Sequence, residues 1–229
     1  MRGFADAHIH FPEYPDGSEP SLYVACTADR SDWDTLPEGG VRCYGIHPWY
    51  CDLWNADMAD ELRARLDSEP GTGVGEIGLD SEEGTVEEQM RCFTDQMDMA
   101  SELGTFVSLH NVGADGPVSD AIRTHGRGCS GIILHAFSSD SMSVRDLADR
   151  GCYFSISPRL MARRRERIAQ LLSKIPEERL LMETDAPHLP KRFVSMEDFV
   201  GTLADIIGMQ TDDLLKLTYD NLRRVTGWK

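Results

Sequence analysis

Near the start of the chain, the segment Asp6-Ala7-His8-Ile9-His10 places two histidines one residue apart. Alternate residues of a β-strand point to the same side, so His8 and His10 on a strand would present two imidazoles together. Neutral imidazoles are natural ligands for divalent metals. The motif is short, and it also describes a strand end that carries two surface histidines. Its weight comes from the rest of the chain. His47 in Gly45-Ile46-His47-Pro48-Trp49, Glu76 in Gly75-Glu76-Ile77-Gly78-Leu79-Asp80, His110, His135, and Asp185 in Glu183-Thr184-Asp185-Ala186-Pro187-His188 each follow a short apolar run that reads as a strand. A lone histidine is usually a satisfied core residue, but five of seven histidines at the same end of different strands are not explained that way. Mixed imidazole and carboxylate donors suit zinc, manganese or iron, and magnesium less well with so many nitrogens.

The elements that must hold these residues alternate along the chain. Strand-like runs occur at residues 3–8, 22–26, 41–46, 73–77, 105–109, 131–134, 152–156 and 180–182. From the third onward a helical pattern follows each strand, the sequence form of repeated βα units around a parallel sheet. Thr85 and Glu88 have capping-box spacing, and Met90, Phe93, Met97, Ala100 and Leu103 recur at helical spacing until Gly104. That stripe reads as packing against the sheet. Further helices are expected at 52–66, 118–124, 144–150, 163–172, 196–207 and 212–225, the last two capped by Ser195 and Thr211. The prolines between His10 and Leu22 forbid a crossover helix, and little room lies between Ala28 and Val41. These features predict one α/β domain over residues 1–229: a TIM-type (β/α)8 barrel with a reduced helical ring near the first two strands. Such barrels carry their chemistry at the C-terminal ends of the strands, where all seven candidate residues fall.

The formal net charge of −16 excludes a generally basic nucleic-acid coat but not a locally positive site, because bound divalent cations would dominate the field around them. Six widely spaced cysteines with no C-x-x-C read as core thiols in a reducing compartment. No charged-then-apolar leader and no apolar run of membrane-spanning length is recognisable. A cytoplasmic, monomeric enzyme without membrane contact is expected.

Taken in order, Asp6-Ala7-His8-Ile9-His10, Gly75-Glu76-Ile77-Gly78-Leu79-Asp80, His110, His135-Ala136-Phe137-Ser138, Glu183-Thr184-Asp185-Ala186-Pro187 and Asn221-Leu222-Arg223-Arg224 resemble the TatD-type metal-dependent hydrolases, a deoxyribonuclease family of the amidohydrolase superfamily. The resemblance implies two divalent metal ions (zinc, manganese or magnesium). His8, His10, Glu76 and Asp185 would hold one; Glu76, His110 and His135 would hold the other. It further implies Asp185 and Glu76 as the catalytic carboxylates, with Asp185 orienting the attacking water and taking its proton. His47, outside that ligand set, would touch substrate or orient a ligand.

The departures bear on substrate. Where the family commonly has His-x-Arg, this chain has His110-Asn111-Val112; where it often has an aromatic and then a basic residue after Gly-Leu-Asp, this chain has Ser81-Glu82-Glu83; and Trp49 replaces the second histidine of Gly-x-His-Pro-His. Anions are normally gripped by Arg or Lys. Arg159, Lys191 and Arg192, in the loops after the seventh and eighth strands, are the candidates to replace the missing cations. The run Arg163, Arg164, Arg165 and Arg167 reads as the solvated side of a helix. His188 is either a substrate contact or loop decoration, and His125 reads as a favourable charge at a helix C-terminus. The leading expectation is 3'-5' exonuclease-like hydrolysis of DNA ends, with exposed aromatics such as Trp49 stacking on bases. The alternative is hydrolysis of a small amide, ester or lactone, and a third is a non-catalytic binding barrel.

Overall fold

The computed structural model describes residues 1–229, the side chain of Arg2 excepted. Eight strands run β1 Arg2–Ile9, β2 Glu19–Cys26, β3 Val41–Tyr44, β4 Gly73–Asp80, β5 Phe106–Val112, β6 Gly131–Leu134, β7 Cys152–Ile156 and β8 Leu180–Met182. Each pairs in parallel with the next, so sheet order equals chain order. The ring nearly closes where β1 meets the end of β8. Ile9 bridges Ala186, His10 N donates to Ala186 O at 2.8 Å, and Asp185 N donates to His8 O at 3.0 Å. The buried Asp6 carboxylate reinforces this seam, accepting from Thr184 N at 2.9 Å, Thr184 Oγ1 at 2.7 Å and Tyr14 Oη at 3.1 Å. Burial pushes Asp6 up to about 7, against the lowering effect of Thr184.

Helices α1 Ala56–Ser68, α2 Val86–Leu103, α3 Asp115–His125, α4 Val144–Asp149, α5 Arg165–Leu172, α6 Met196–Ile207 and α7 Thr211–Thr226 complete the (β/α)8 pattern. As expected, the ring is thin at its start. Only turns join β1 to β2, and a single 3-10 turn, Arg30–Asp34, lies between β2 and β3. The strongest local signals hold: Thr85 and Glu88 form the capping box of α2, Gly104 ends it in the left-handed region, and Ser195 caps α6. Three boundaries differ. The start of the segment 52–66 is 3-10 (Pro48–Leu53), and Asn55 caps α1 through Met58 N. Residue Arg163 ends another 3-10 turn, Pro158–Ala162, so α5 begins only at Arg165. Thr211 is the first residue of α7 rather than its cap; Asp212 and Asp213 in that first turn face the positive end of the helix dipole instead.

The core has two parts. Between barrel and helices pack residues such as Phe93, Met97 and Ala100 of α2 with Leu62, Val118 and Leu203. A second cluster joins Ala5, Val24, Ile133 and Leu181 to Leu222 and Val225 of α7. Asn221 of α7 donates to Leu180 O at 2.9 Å, at the beginning of β8. The opposite ends of the strands stay open.

β4 and β5 are longer than the sequence predicts, because Gly78 and His110 pair across them. A Cβ at Gly78 would stand 2.0 Å from His110 O, and φ there is 152°. Gly78→Ala is therefore expected to cost about 2 kcal/mol, lowering the melting temperature by roughly 5 °C. An unchanged thermal transition by circular dichroism would show that this close approach is not needed.

Candidate metal centre

Glu76 lies inside β4, its side chain 2 % exposed at the open mouth of the barrel. Its two oxygens divide the histidines. Oε2 faces His8 Nε2 at 3.3 Å and His10 Nε2 at 3.4 Å, both from β1 and the residue after it. Oε1 faces His110 Nδ1 at 2.8 Å, His135 Nε2 at 3.0 Å and His47 Nε2 at 3.5 Å. Asp185 Oδ1 completes the first side, 4.0 Å from His8 Nε2 and 3.9 Å from His10 Nε2. Donor atoms of His8, His10 and Glu76, of His8, His135 and Asp185, and of His47, Glu76 and His110 each fall within 4.8 Å of one another.

The residues fit a divalent metal. His8 Nε2 is buried and has no hydrogen-bond partner among the described residues, although a satisfied partner is the rule for buried polar atoms. Its other ring nitrogen is occupied by Ser108 Oγ at 2.9 Å, so the unpartnered nitrogen is the one aimed into the cluster. The other histidines are oriented in the same way. His10 Nδ1 lies 3.1 Å from Cys26 O, His135 Nδ1 3.1 Å from Glu183 Oε1, and His110 Nε2 3.2 Å from Asp80 Oδ2. Such outer contacts fix ring rotation and leave the inward nitrogen free to ligate.

Backbone conformation follows the site. Ala136 and Asp185 adopt φ of 45° and 62°, which costs energy in residues with a Cβ. Glu183 Oε1 holds Ala136 N at 2.7 Å, and the seam with β1 holds Asp185 N. Asp185 is itself one of the clustered donors, and Ala136 follows another, His135.

All six residues expected as metal ligands, His8, His10, Glu76, His110, His135 and Asp185, converge. Glu76 and His110 were expected at strand ends and instead lie within β4 and β5, because those strands extend past them to Asp80 and Val112. His47, expected to touch substrate or orient a ligand, is 5 % exposed, lines the cleft and stands among the donors around Glu76 Oε1. Arg159 is at the site, with Nη2 3.2 Å from Asp185 Oδ2 and 2.6 Å from His188 O. Lys191 and Arg192 do not line the central cleft; they line a separate hollow beside it. His125 ends α3 and contacts Asp98 at 2.7 Å, away from the chemistry. Sequence reasoning missed Asp80, Glu183 and Ser108 as orienting partners. Asp80 and Glu183 lie in the motifs that carry Glu76 and Asp185, which is the one signal that pointed to them.

The centre opens into a cleft of about 660 Å³. Trp49, 54 % exposed, stands at its edge, with the indole Nε1 donating to Asp80 Oδ2 at 2.7 Å. Val112 and Asn111 line the cleft where cations were missing from the sequence, and Asn111 is committed to Asp115 at 2.7 Å.

A (β/α)8 barrel whose open mouth gathers imidazoles around a buried carboxylate is the architecture of a metal-dependent hydrolase. The family described as TatD related DNase matches residues 32–227. The chain belongs to that family. It is 29% identical over 227 residues to an uncharacterized metal-dependent hydrolase TatD of Mycobacterium tuberculosis, spanning 93% of this chain and 83% of that protein. It is 36% identical over 184 residues to a 3'-5' ssDNA/RNA exonuclease TatD of Cronobacter turicensis, spanning 77% of this chain and 70% of the relative. The fold is that of a TatD homologue from Escherichia coli K12, with TM-score 0.81 at 19% identity and coverage of 99% and 98% of the two chains.

The protonation of the metal-free cluster makes a prediction. Burial disfavours charge on these histidines, yet the carboxylates overrule it: His10, His110 and His135 are raised, and His8 reaches about 10 with the Cys26 thiol and Glu76 among its causes. Glu76 is held well below its ordinary value despite burial, by His135, His8 and His47. Of the five, His47 alone ends below its ordinary value, because there burial outweighs the pull of Glu76. A raised imidazole keeps its proton to higher pH and must lose it to ligate. Zinc binding should therefore release protons near pH 7 and tighten as pH rises. Calorimetry in buffers of differing ionisation enthalpy measures this, and a buffer-independent heat would contradict the assignment of these rings as ligands.

Proposed function

We propose that the chain is a metal-dependent exonuclease that removes nucleotides from the 3' ends of single-stranded DNA, in which His8, His10, Glu76, His110, His135 and Asp185 would hold two divalent ions. The observation that carries this reading is the division of five imidazoles between the two oxygens of one buried carboxylate, with Asp185 beside it. The exonuclease name of relatives such as the Cronobacter turicensis protein supports the substrate class. When bound, the ions supply Lewis-acid activation of water and neutralise charge on the phosphoryl group.

The chain's own residues do the rest. Asp185 Oδ1 faces the cluster and accepts the proton of the attacking water; Oδ2 is kept outward by Arg159. The half-exposed Arg159 guanidinium is the cation at the mouth that meets a phosphate oxygen. His188, whose ring lies 5.3 Å from that of His10, edges the same opening. Trp49, its indole pinned by Asp80, offers a ring face on which a base stacks. The acidic surface does not prevent this, because binding depends on the local field at the mouth. Among the described residues, no helix is long and apolar enough to cross a membrane. A monomeric, cytoplasmic, one-domain enzyme accords with the reading.

Zinc- or manganese-loaded protein should release mononucleotides from single-stranded DNA, and Glu76→Ala or Asp185→Ala should lower the rate by about 10²–10⁴-fold. Turnover of neutral esters, lactones or amides alone would replace the reading with the small-molecule alternative, which the absence of a cation at Val112 favours. Arg159→Ala should weaken DNA binding and reduce the slope of log affinity against log salt by about one. A salt slope equal to that of the wild type would remove Arg159 from the phosphate contacts.

A further inference from the structure

Beside the metal cleft lies a second hollow of about 300 Å³ that the chemistry described so far leaves unused. Met161 follows β7 in the turn Pro158–Ala162; Phe193 and Val194 belong to the loop after β8; Phe199 and Thr202 come from α6. The lining is mostly apolar, and Val194 is 74 % exposed, which leaves an aliphatic surface in water at the active face. Lys191 and Arg192 add two exposed cations to it. Asp198, the acid in the lining, is turned to its own helix cap, where it accepts from Ser195 Oγ at 2.9 Å.

Arg159 joins the two spaces. It lines both hollows, and its Nη2 is tethered to Asp185 Oδ2 and to His188 O. A ligand that reaches from the metal centre past Arg159 therefore meets in succession the donor cluster, one guanidinium and an apolar slot flanked by two more cations. That succession matches an anion attached to a flat apolar body with further anions beyond it. In a polynucleotide the body is a base and the anions are phosphates.

We infer that this slot receives the base of a nucleotide adjoining the scissile phosphate, while Arg159 holds the phosphate between slot and metals and Lys191 and Arg192 meet the strand that continues outward. The inference rests on the exonuclease reading and adds to it a base subsite, distinct from the Trp49 side of the cleft. Bases enter such slots by stacking and apolar contact, which tolerates sequence, so the subsite selects for the presence of a base rather than its identity.

Thr202, exposed on α6, allows the slot to be filled without disturbing the core. With metal-loaded full-length protein, Thr202→Trp is expected to lower kcat/KM for a single-stranded oligonucleotide about tenfold relative to kcat/KM for methyl p-nitrophenyl phosphate, which carries no nucleobase and no continuing strand, with the loss carried by KM. The wild type is expected to process an oligonucleotide with an intact base in its penultimate 3' nucleotide, the one on the 5' side of the scissile phosphate, better than one abasic at that position, and Thr202→Trp to erase that preference. Phe193→Ala, which widens the slot from the loop side, should weaken the same preference. An unchanged substrate ratio in Thr202→Trp, together with equal processing by the wild type of oligonucleotides intact and abasic at the penultimate position, would overturn the base slot while leaving the exonuclease intact. Failure of the loaded wild type to cleave either phosphodiester would remove the exonuclease itself. Hydrolysis of acyl esters, slowed selectively for long acyl groups by Thr202→Trp, would overturn the inference in favour of an acyl-binding slot.

Discussion

A single buried carboxylate sets the order of this molecule. Glu76 sits within β4 with three imidazoles near one oxygen and two near the other, a concentration of donors that no water-filled surface would hold in place. Taking an acid out of water is costly, and the surrounding imidazoles compensate when they carry protons. The same imidazoles become ligands when the protons leave. The site therefore has two ways to balance its charge, protons or cations, within hydrogen-bonded walls that include the acids Asp80 and Glu183.

Holding five imidazoles in one place requires the barrel to close correctly. The donors come from β1, β4 and β5 and from the segments after β1, β3, β6 and β8, and the seam between the first and last strands brings His8, His10 and Asp185 together. Asp6 secures that seam through Thr184, one residue from Asp185. Ser108, Cys26 O, Glu183 and Asp80 then set the rotation of individual rings. At the other end of the cylinder α7 binds the start of β8 through Asn221, so stability is concentrated away from the mouth and chemistry is concentrated at it.

The mouth also shows how a barrel of this family can keep its centre while changing what surrounds it. Asn111 and Val112 line the cleft beside His110, while Arg159, Lys191 and Arg192 place positive charge on the loops after β7 and β8. Asn111 serves its own loop, and Trp49 is locked to Asp80, a buried acid that also faces His110. The acid thereby couples the orientation of a metal-facing ring to an exposed aromatic.

Local sequence carried much of this structure. Alternating apolar runs, the capping box at Thr85 and the cap at Ser195 are decided by residues within a few positions of one another, and they were legible for that reason. So was the nomination of His8, His10, His47, Glu76, His110, His135 and Asp185 as candidate donors, since residue type and position relative to a strand suffice for that, while the six-residue ligand set came from the family resemblance. The extension of β4 and β5 beyond Glu76 and His110 was not legible, because it depends on pairing between strands whose partners lie some thirty residues apart. Nor was the 3-10 backbone at Pro48–Leu53 and Pro158–Ala162, where loop packing overrides helical periodicity. The sequence by itself determined which side chains were available and that they would face one end of a barrel. Only the tertiary structure decided that Glu76 would divide them, that His47 would join them, that Arg159 would meet Asp185 and that Lys191 and Arg192 would border a separate slot. Those outcomes are distances between remote segments, set by the curvature and register of the closed sheet, and no local pattern encodes them.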